Sequence, residues 1–592
     1  MRIGIKPELL KRLGKVALGL EPADVIITGG DVLNVYTGEL LKDQQILIAG
    51  ERIAYVGLDK DFPMGTQTRV IDVSGDVVIP GLIEGHCHMD NWMELREYIC
   101  GSLPLGTTTI ITEAASPTNA LGIKGVLSFI QQFQNSPQRV FATAPCISYL
   151  SAKNEAGQKI INHDEMLELL KLPEIIGIGE IYWSRLLDDG EESAELLDLI
   201  VQAQTLGKTA EGHGAGAKNR KLAAMAASGL DSCHEPITAE EVRERLGFGL
   251  GTMIREGSIR RELEAVIEPL KEMNLNLRRA MLVSDNVWPN DLVRYGHMDY
   301  IVNKAIALGL DPVQAIQMAT LNVAEHFNLG DDLGGIAPGK CADLVVIPDL
   351  KNIQTKLVIS KGQLVAQDGK MTVEVALKEE YPEGCFTSLK IPRLEPDFFS
   401  VPANQPEVTV RAIKVITDIL NREETLNLPV SDGKIDISAL DDVLKVAVID
   451  RQNETGHRSI GFLQNYGLSR GAVGSSSTFD EGNLVVIGSN DKDMAAVVNR
   501  ISELKGGIVY CCDGRVVEEL PLPIFGKTSD LPGLEVAKRM ESLTAVMQKS
   551  GCQGENPILT LISITFTAIP ALRLTINGYW LAKERRIVNL FV

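Results

Sequence analysis

The chain has 592 residues, more than one domain usually holds, so its length points to about two to four domains. Hydrophobic residues make up 45% and charged residues 23%, which excludes a disordered or fibrous chain. The formal net charge of −20, with a pI near 5.0, argues against a nucleic-acid partner, because such binding needs a concentrated basic surface.

The start, MRIGIKPELLKRLGKVALG, is basic but no continuous apolar run follows it. It reads as an amphipathic helix over Pro7 to Val16 rather than a secretory signal. No apolar stretch is long enough to predict a membrane span. Residues 23–80 alternate apolar β-formers with tight turns, as in ADVIITGGDVLNVYTGE, QQILIAGERIAYVG and TRVIDVSGDVVIPG, and predict part of a small all-β domain.

From about 80 to 330, short apolar runs alternate with helical stretches such as HDEMLELLKL and EESAELLDLIVQAQTLG. The runs are GLIEGHCH (81–88), GTTTIITEA (106–114), RVFATAPC (139–146), IIGIGEI (175–181), GKTAEGH (207–213), LDSCHE (230–235), GLGTMIRE (249–256) and RRAMLVSDN (278–286). Eight such runs over this span predict an α/β fold of the TIM-like (β/α)8 barrel type. Next come GIAPGKCADLVVIPDL and TKLVISKGQLVAQDGK, in the style of residues 23–70, so both flanks of the barrel should build one composite β-domain. Beyond, EVTVRAIKVI, KVAVIDR, NLVVIGS and the helix-like DKDMAAVVNRISELKG predict a further α/β or α+β domain of about 200 residues. The expected division is 1–79 for the N-terminal helix and first β-part, 80–333 for the barrel, 334–376 for the remaining β-part and 377–592 for the C-terminal domain. The cysteines lack regular spacing, and the pair at 511–512 is too tight for a four-cysteine zinc site, which fits a reducing cytoplasm.

Polar residues gather at the ends of the barrel runs, where this architecture collects its binding chemistry. His86 and His88 form an H-x-H pair, and residues two apart on a strand face one side, so both rings can approach one metal ion. The plainer alternative is a buried hydrogen-bonded pair. Glu180 ends IIGIGE, and a carboxylate there is costly to bury unpaired. It can bridge two ions through its two oxygens, or else form a salt bridge or helix cap. His213 and His234 offer two more nitrogens, with structural hydrogen bonding as the alternative. Asp285, in AMLVSDN, can bind metal and take a proton from water, or cap a helix. Glu235 is expected beside Asp285 in the catalytic set, and Glu235 or Glu113 can tune the ligands or touch substrate. Arg255 and Glu256 read equally as an internal ion pair or as substrate contacts, and His297 as a supporting residue. His163, His326 and His457 lie in polar or helical segments and are weaker candidates.

Four histidines and two carboxylates suit Zn²⁺, Mn²⁺ or Fe²⁺ better than Ca²⁺. Such ions make hydroxide available near neutral pH. Asp285 would accept its proton and return one to the leaving group, for an amide, a cyclic amide or an amidine-like ring carbon.

PGLIEGHCHMD resembles the first-strand metal motif of the amidohydrolase superfamily, and ADVIITGGDVLNVYTGE with GGIAPGKCADLVVIPDL resembles its two-part β-domain. Over nearly the whole chain, IIGIGE, EGHGAG, SCHEPITAEE, MIREGS and HMDYIVNKAIALGLDPVQAIQMATLNVAEHF are similar to segments of the adenine deaminases. So are GLSRGAV, IGSNDKDMAAVVNRI and VVEELPLPIFG in the last domain. This resemblance implies His86, His88, Glu180, His213 and His234 as metal ligands, with Glu180 shared, and Asp285 as the metal-linked acid and base. It implies two divalent ions, Mn²⁺ or Fe²⁺ before Zn²⁺, and hydrolysis of adenine at ring carbon C6 to hypoxanthine and ammonia.

The chain departs from that family's pattern in three places. After Glu113, ITEAASPTNALG lacks the family's His-Glu pair, Cys233 replaces an aspartate, and Phe479 and Gly482 in SSSTFDEGN stand where histidines are usual. An amidohydrolase acting on another purine, cyclic amide or related C–N bond is therefore the second expectation. A non-catalytic metal-binding or assembly protein is the third, although an intact charged cluster is costly unless it binds something. The partner expected is a small purine or cyclic amide, with no nucleic acid and no membrane, and a homodimer is compatible with the size.

Overall fold

The computed structural model describes residues 3–151, 159–377, 381–452, 456–479, 482–569 and 571–592. Among them, residues on both sides of the central segment share one nine-stranded sheet. Its junction is the antiparallel pairing of Leu344–Ile347 with Val77–Pro80, and Val77–Pro80 in turn lies parallel to Val25–Asn34. The amphipathic helix Pro7–Ala17 packs Leu13 and Val16 against this sheet's Ile26 and Leu47. No helix among the described residues is long and apolar enough to cross a membrane.

Each of the eight apolar runs contains a strand: β1 (Leu82–Cys87), β2 (Thr107–Thr112), β3 (Arg139–Pro145), β4 (Ile175–Tyr182), β5 (Thr209–His213), β6 (Ser232–Cys233), β7 (Gly251–Arg255) and β8 (Ala280–Val283). They form two parallel arcs, β1 to β5 and β6 to β8. β2 and β4 are buried along their whole length, which is why their sequences run apolar and β-branched instead of alternating with polar residues. At one seam the Asp231 N–H bonds the Ala210 carbonyl at 2.8 Å. At the other the Asp285 N–H bonds the His86 carbonyl at 3.0 Å, and Cys87 bridges Asp285 in parallel. The result is an amidohydrolase-like α/β fold with additional domains.

Helices cover the outer side of the arcs. The helix His163–Leu170 starts where Asn162 and Glu165 form a reciprocal capping box, which satisfies two otherwise orphaned N–H groups. Glu191–Thr205 buries Leu196, Leu199 and Ile200 on the same core. A Cβ at Gly179 would sit 2.9 Å from the Glu211 Cβ, so glycine is what lets β4 lie close to β5 and brings Glu180 beside His213.

Residues 407–521 contribute a second nine-stranded sheet. One face packs on the helix Asp491–Glu503, capped by Asn490, and the other on the helices Gly533–Lys549 and Pro557–Ser563. This last part is joined to the segment carrying the two arcs by a short parallel pairing of Thr528–Ser529 with Trp92–Met93, where the Trp92 N–H bonds the Lys527 carbonyl at 2.9 Å. Trp92 lies five residues past the end of β1, so the pairing brings the last part to the ends of the arc strands.

Candidate metal centre

The strand ends bring six sequence-selected side chains together around one carboxylate. Glu180 Oε2 lies 2.7 Å from His213 Nδ1 and 3.0 Å from His234 Nε2, and those two nitrogens are 3.1 Å apart. Glu180 Oε1 lies 3.0 Å from His88 Nε2 and 3.9 Å from His86 Nε2. Asp285 Oδ1 completes this second group, 3.4 Å from His86 Nε2 and 3.6 Å from His88 Nε2. β1 itself stops at Cys87, so His88 stands one residue past the strand, yet its ring centroid is still only 5.5 Å from that of His86.

Two overlapping groups, His86–His88–Glu180 and Glu180–His213–His234, can each hold a metal ion, with Glu180 common to both. Donor atoms about 3 Å apart match ligands that each stand about 2.1 Å from a shared ion. The set also contains unmet donors: His86 Nε2 and His213 Nε2 are buried and make no hydrogen bond among the described residues. A buried polar atom left in that state costs about 1–3 kcal/mol. Imidazole nitrogens with carboxylates suit first-row divalent ions, so the residues present fit a two-ion divalent site.

The charges around the donors are held in place by Arg255. Its guanidinium contacts Glu235, lies 3.1 Å from Asp285 Oδ2 and grips Glu262 through two bonds of 3.1 Å. Burial by itself would raise the Asp285 carboxyl, but His86, His88 and Arg255 outweigh it and hold it well below the usual range. Burial likewise opposes ionisation of Glu180, and the His234 charge with bonds from His213, His234 and His88 overcomes it. Glu235 is brought down to about 2, burial again being outweighed, here by Arg255 first and then by His213 and His234. Glu113 differs: burial pushes it up to about 7, its Oε2 accepts from Thr143 at 2.6 Å, and its Oε1 is 3.8 Å from His86 Nδ1.

The remaining selected residues fall elsewhere. Glu256 does not line the cavity above the donors; it pairs with Lys304 at 2.6 Å, while its sequence neighbour Arg255 pairs with Glu235, Glu262 and Asp285. His297 is fully buried between Tyr98 (2.8 Å) and Thr107 (2.9 Å), at the opposite end of β2 from Glu113. His326 bonds Glu211 and His163 pairs with Asp198 at 3.0 Å. Cys233 accepts from the buried Arg245 at 3.1 Å.

Sequence reading missed most of the cavity wall. Asn91 and Trp92 follow His88, and Asn286 and Trp288 follow Asp285, so their nearness to ligands was the available signal. The opposite wall comes from the last domain, through Ile419, Thr478, Phe479, Lys527 and Phe566. From sequence, Phe479 stands out only as a departure from the family pattern that the chain resembles. Its neighbours Asp480 and Glu481, in the same SSSTFDEGN stretch, lie outside the described residues.

Comparison with known proteins matches residues 77–365 to the amidohydrolase family and residues 418–586 to the adenine deaminase C-terminal domain. The adenine deaminase of Clostridium botulinum (strain ATCC 19397 / Type A) is 36% identical, covering 99% of this chain and 98% of its own length. That of Moorella thermoacetica is 36% identical, covering 98% of each, and that of Desulforamulus reducens is 33% identical, covering 98% of this chain and 97% of its own. Matched end to end, and with the metal donors gathered at the strand ends, this chain belongs to the adenine deaminases of the amidohydrolase family.

Proposed function

We propose that the protein hydrolyses adenine to hypoxanthine and ammonia, with His86, His88, Glu180, His213, His234 and Asp285 holding two divalent ions. The observation that carries this is the pair of donor groups sharing Glu180 on the floor of a cavity, in a chain matched end to end with adenine deaminases. We also propose that β1 to β8 close as a (β/α)8 barrel, which the hydrogen bonds at both seams support. Mn²⁺ and Fe²⁺ are favoured by family likeness, and Zn²⁺ suits the same donors. When bound, the ions supply Lewis acidity and make water ionise near neutral pH.

The chain's own groups then divide the work. Asp285 presents Oδ1 to the centre while Arg255 holds Oδ2, so the first oxygen takes the proton of the attacking water and delivers it to the departing amino group. Glu235, ionised and fixed by Arg255, faces the cavity as an acceptor for a ring N–H. The last domain, pinned by Trp92 and Lys527, limits access of bulk water to the mouth. Nine free cysteines fit a cytoplasmic enzyme.

A second reading, hydrolysis of another purine or a cyclic amide, draws on Asn119 and Phe479, two uncharged side chains that line the cavity. Adenine turnover by protein reconstituted separately with Mn²⁺, Fe²⁺ or Zn²⁺ decides between them. Stoichiometric hypoxanthine and ammonia, abolished by Asp285→Asn, is the expected result. A folded, metal-loaded protein that turns over no adenine with any ion would overturn the adenine assignment.

A further inference from the structure

Two aromatic pairs line the cavity, and they differ in how much surface they leave open. Trp92 and Trp288, with ring centroids 5.1 Å apart, are 3% and 2% exposed, so their faces are already covered by protein. Phe479 and Phe566, also 5.1 Å apart and inclined by 35°, are only partly buried. Both line the cavity, together with Ile562 and Ile569. Phe566 meets the ring of His213 edge-on, with centroids 6.2 Å apart and planes at 69°. Partly open aromatic surface thus lines the cavity beside His213, one of the donors of the site.

The pair is held from behind by the backbone. The Phe479 N–H bonds the Ile562 carbonyl at 3.4 Å, and the Thr565 hydroxyl bonds the Phe479 carbonyl at 3.4 Å. The two segments that carry the rings are therefore tied to each other. Phe566 packs against the barrel's core and Phe479 against that of the last domain, so the platform spans the junction of the two.

We infer that Phe566, backed by Phe479, is a stacking platform that makes the centre selective for flat aromatic heterocycles over saturated cyclic amides. This rests on the reading of the site as a hydrolytic metal centre, and it separates two substrate classes that the donor set alone treats alike. An aromatic ring gains offset-stacked or edge-to-face contact with phenylalanine that a puckered, saturated ring cannot make. Base stacking on an aromatic side chain is typically lost by roughly 5- to 100-fold in affinity when that side chain is removed. Phe566 and Phe479 act here as positioning residues, since no proton or bond change passes through them.

Calorimetric titration of the metal-loaded protein with hypoxanthine and with dihydrouracil tests this. The parent should bind the flat ring more tightly than the saturated one. Phe566→Leu and Phe479→Leu should each weaken hypoxanthine by roughly 5- to 100-fold, with an unchanged melting temperature, while Phe566→Tyr retains it. Parent protein that binds dihydrouracil as tightly as hypoxanthine, or leucine variants within about twofold of the parent for hypoxanthine, would overturn the proposal. Adenine turnover is followed in parallel on the parent. Its absence removes the adenine assignment but leaves the comparison of flat and saturated rings intact, because binding is read without hydrolysis.

Discussion

Arg255 offers the sharpest test of how the centre is held together. The side chain is 3% exposed and reaches three carboxylates at once, Glu235, Glu262 and Asp285. At 3.1 Å and an effective dielectric constant near 20, each unit-charge contact is worth about 5 kcal/mol before desolvation is charged against it. Burying the guanidinium offsets much of that sum, but removing it leaves carboxylates uncompensated, which typically costs about 3–5 kcal/mol. Arg255→Met, measured by urea denaturation of the chelated protein, should therefore lose about 3–5 kcal/mol. Arg255→Lys should lose less but still measurably, because one ammonium cannot hold Glu262 with two bonds and reach Glu235 and Asp285 as well. Adding Glu262→Gln to Arg255→Met should recover at least about 1 kcal/mol, since one stranded charge disappears. A loss below about 1 kcal/mol in Arg255→Met would refute the argument that this guanidinium neutralises the cluster.

Glu180→Gln removes the carboxylate common to both donor groups, so metal content measured by elemental analysis should fall from two ions per chain to one or fewer. The affinity lost should exceed the roughly 10- to 100-fold seen when a mere supporting partner of a ligand is changed. His297 should govern part of the acid limb of the stability curve. Burial pushes its imidazole down to about 3 from an unfolded value near 6.5, so its contribution is complete above about 6.5 and drains away as pH falls toward 3. The slope approaches about 1.4 kcal/mol per pH unit, so about 2.3 kcal/mol is lost between pH 6.5 and 4.5. The facing titratable group is Glu84, 3.9 Å away, which burial pushes up to about 7, and His297→Gln should flatten this limb in urea melts across that range; parallel curves for parent and variant would count against it.

The eight strands of the two arcs were legible because each is a local pattern. TTTIIT and IIGIGEIY carry β-branched or apolar residues on both faces, as strands covered on both sides require, and short polar turns mark where they end. The donors were legible for a related reason: a histidine or carboxylate at the end of an apolar run conflicts with burial unless it binds something. Glu256 and His297 show the limit of that logic. Both sit next to the selected motifs, yet their partners, Lys304 and Tyr98, lie 48 and 199 residues away and leave no mark in the local sequence.

By itself the sequence determined the eight strand runs and put six donor candidates at their ends, because period, residue type and spacing act over a few residues. The tertiary structure decided that Glu180 stands between two histidine pairs, since its neighbours come from β1, β5 and the loop after β6. It also decided that the last domain roofs the site. That contact depends on a strand pairing between Trp92 and Thr528, and on two phenylalanines carried to the mouth by it. No local pattern encodes such a contact, because it exists only after two separately built cores have docked.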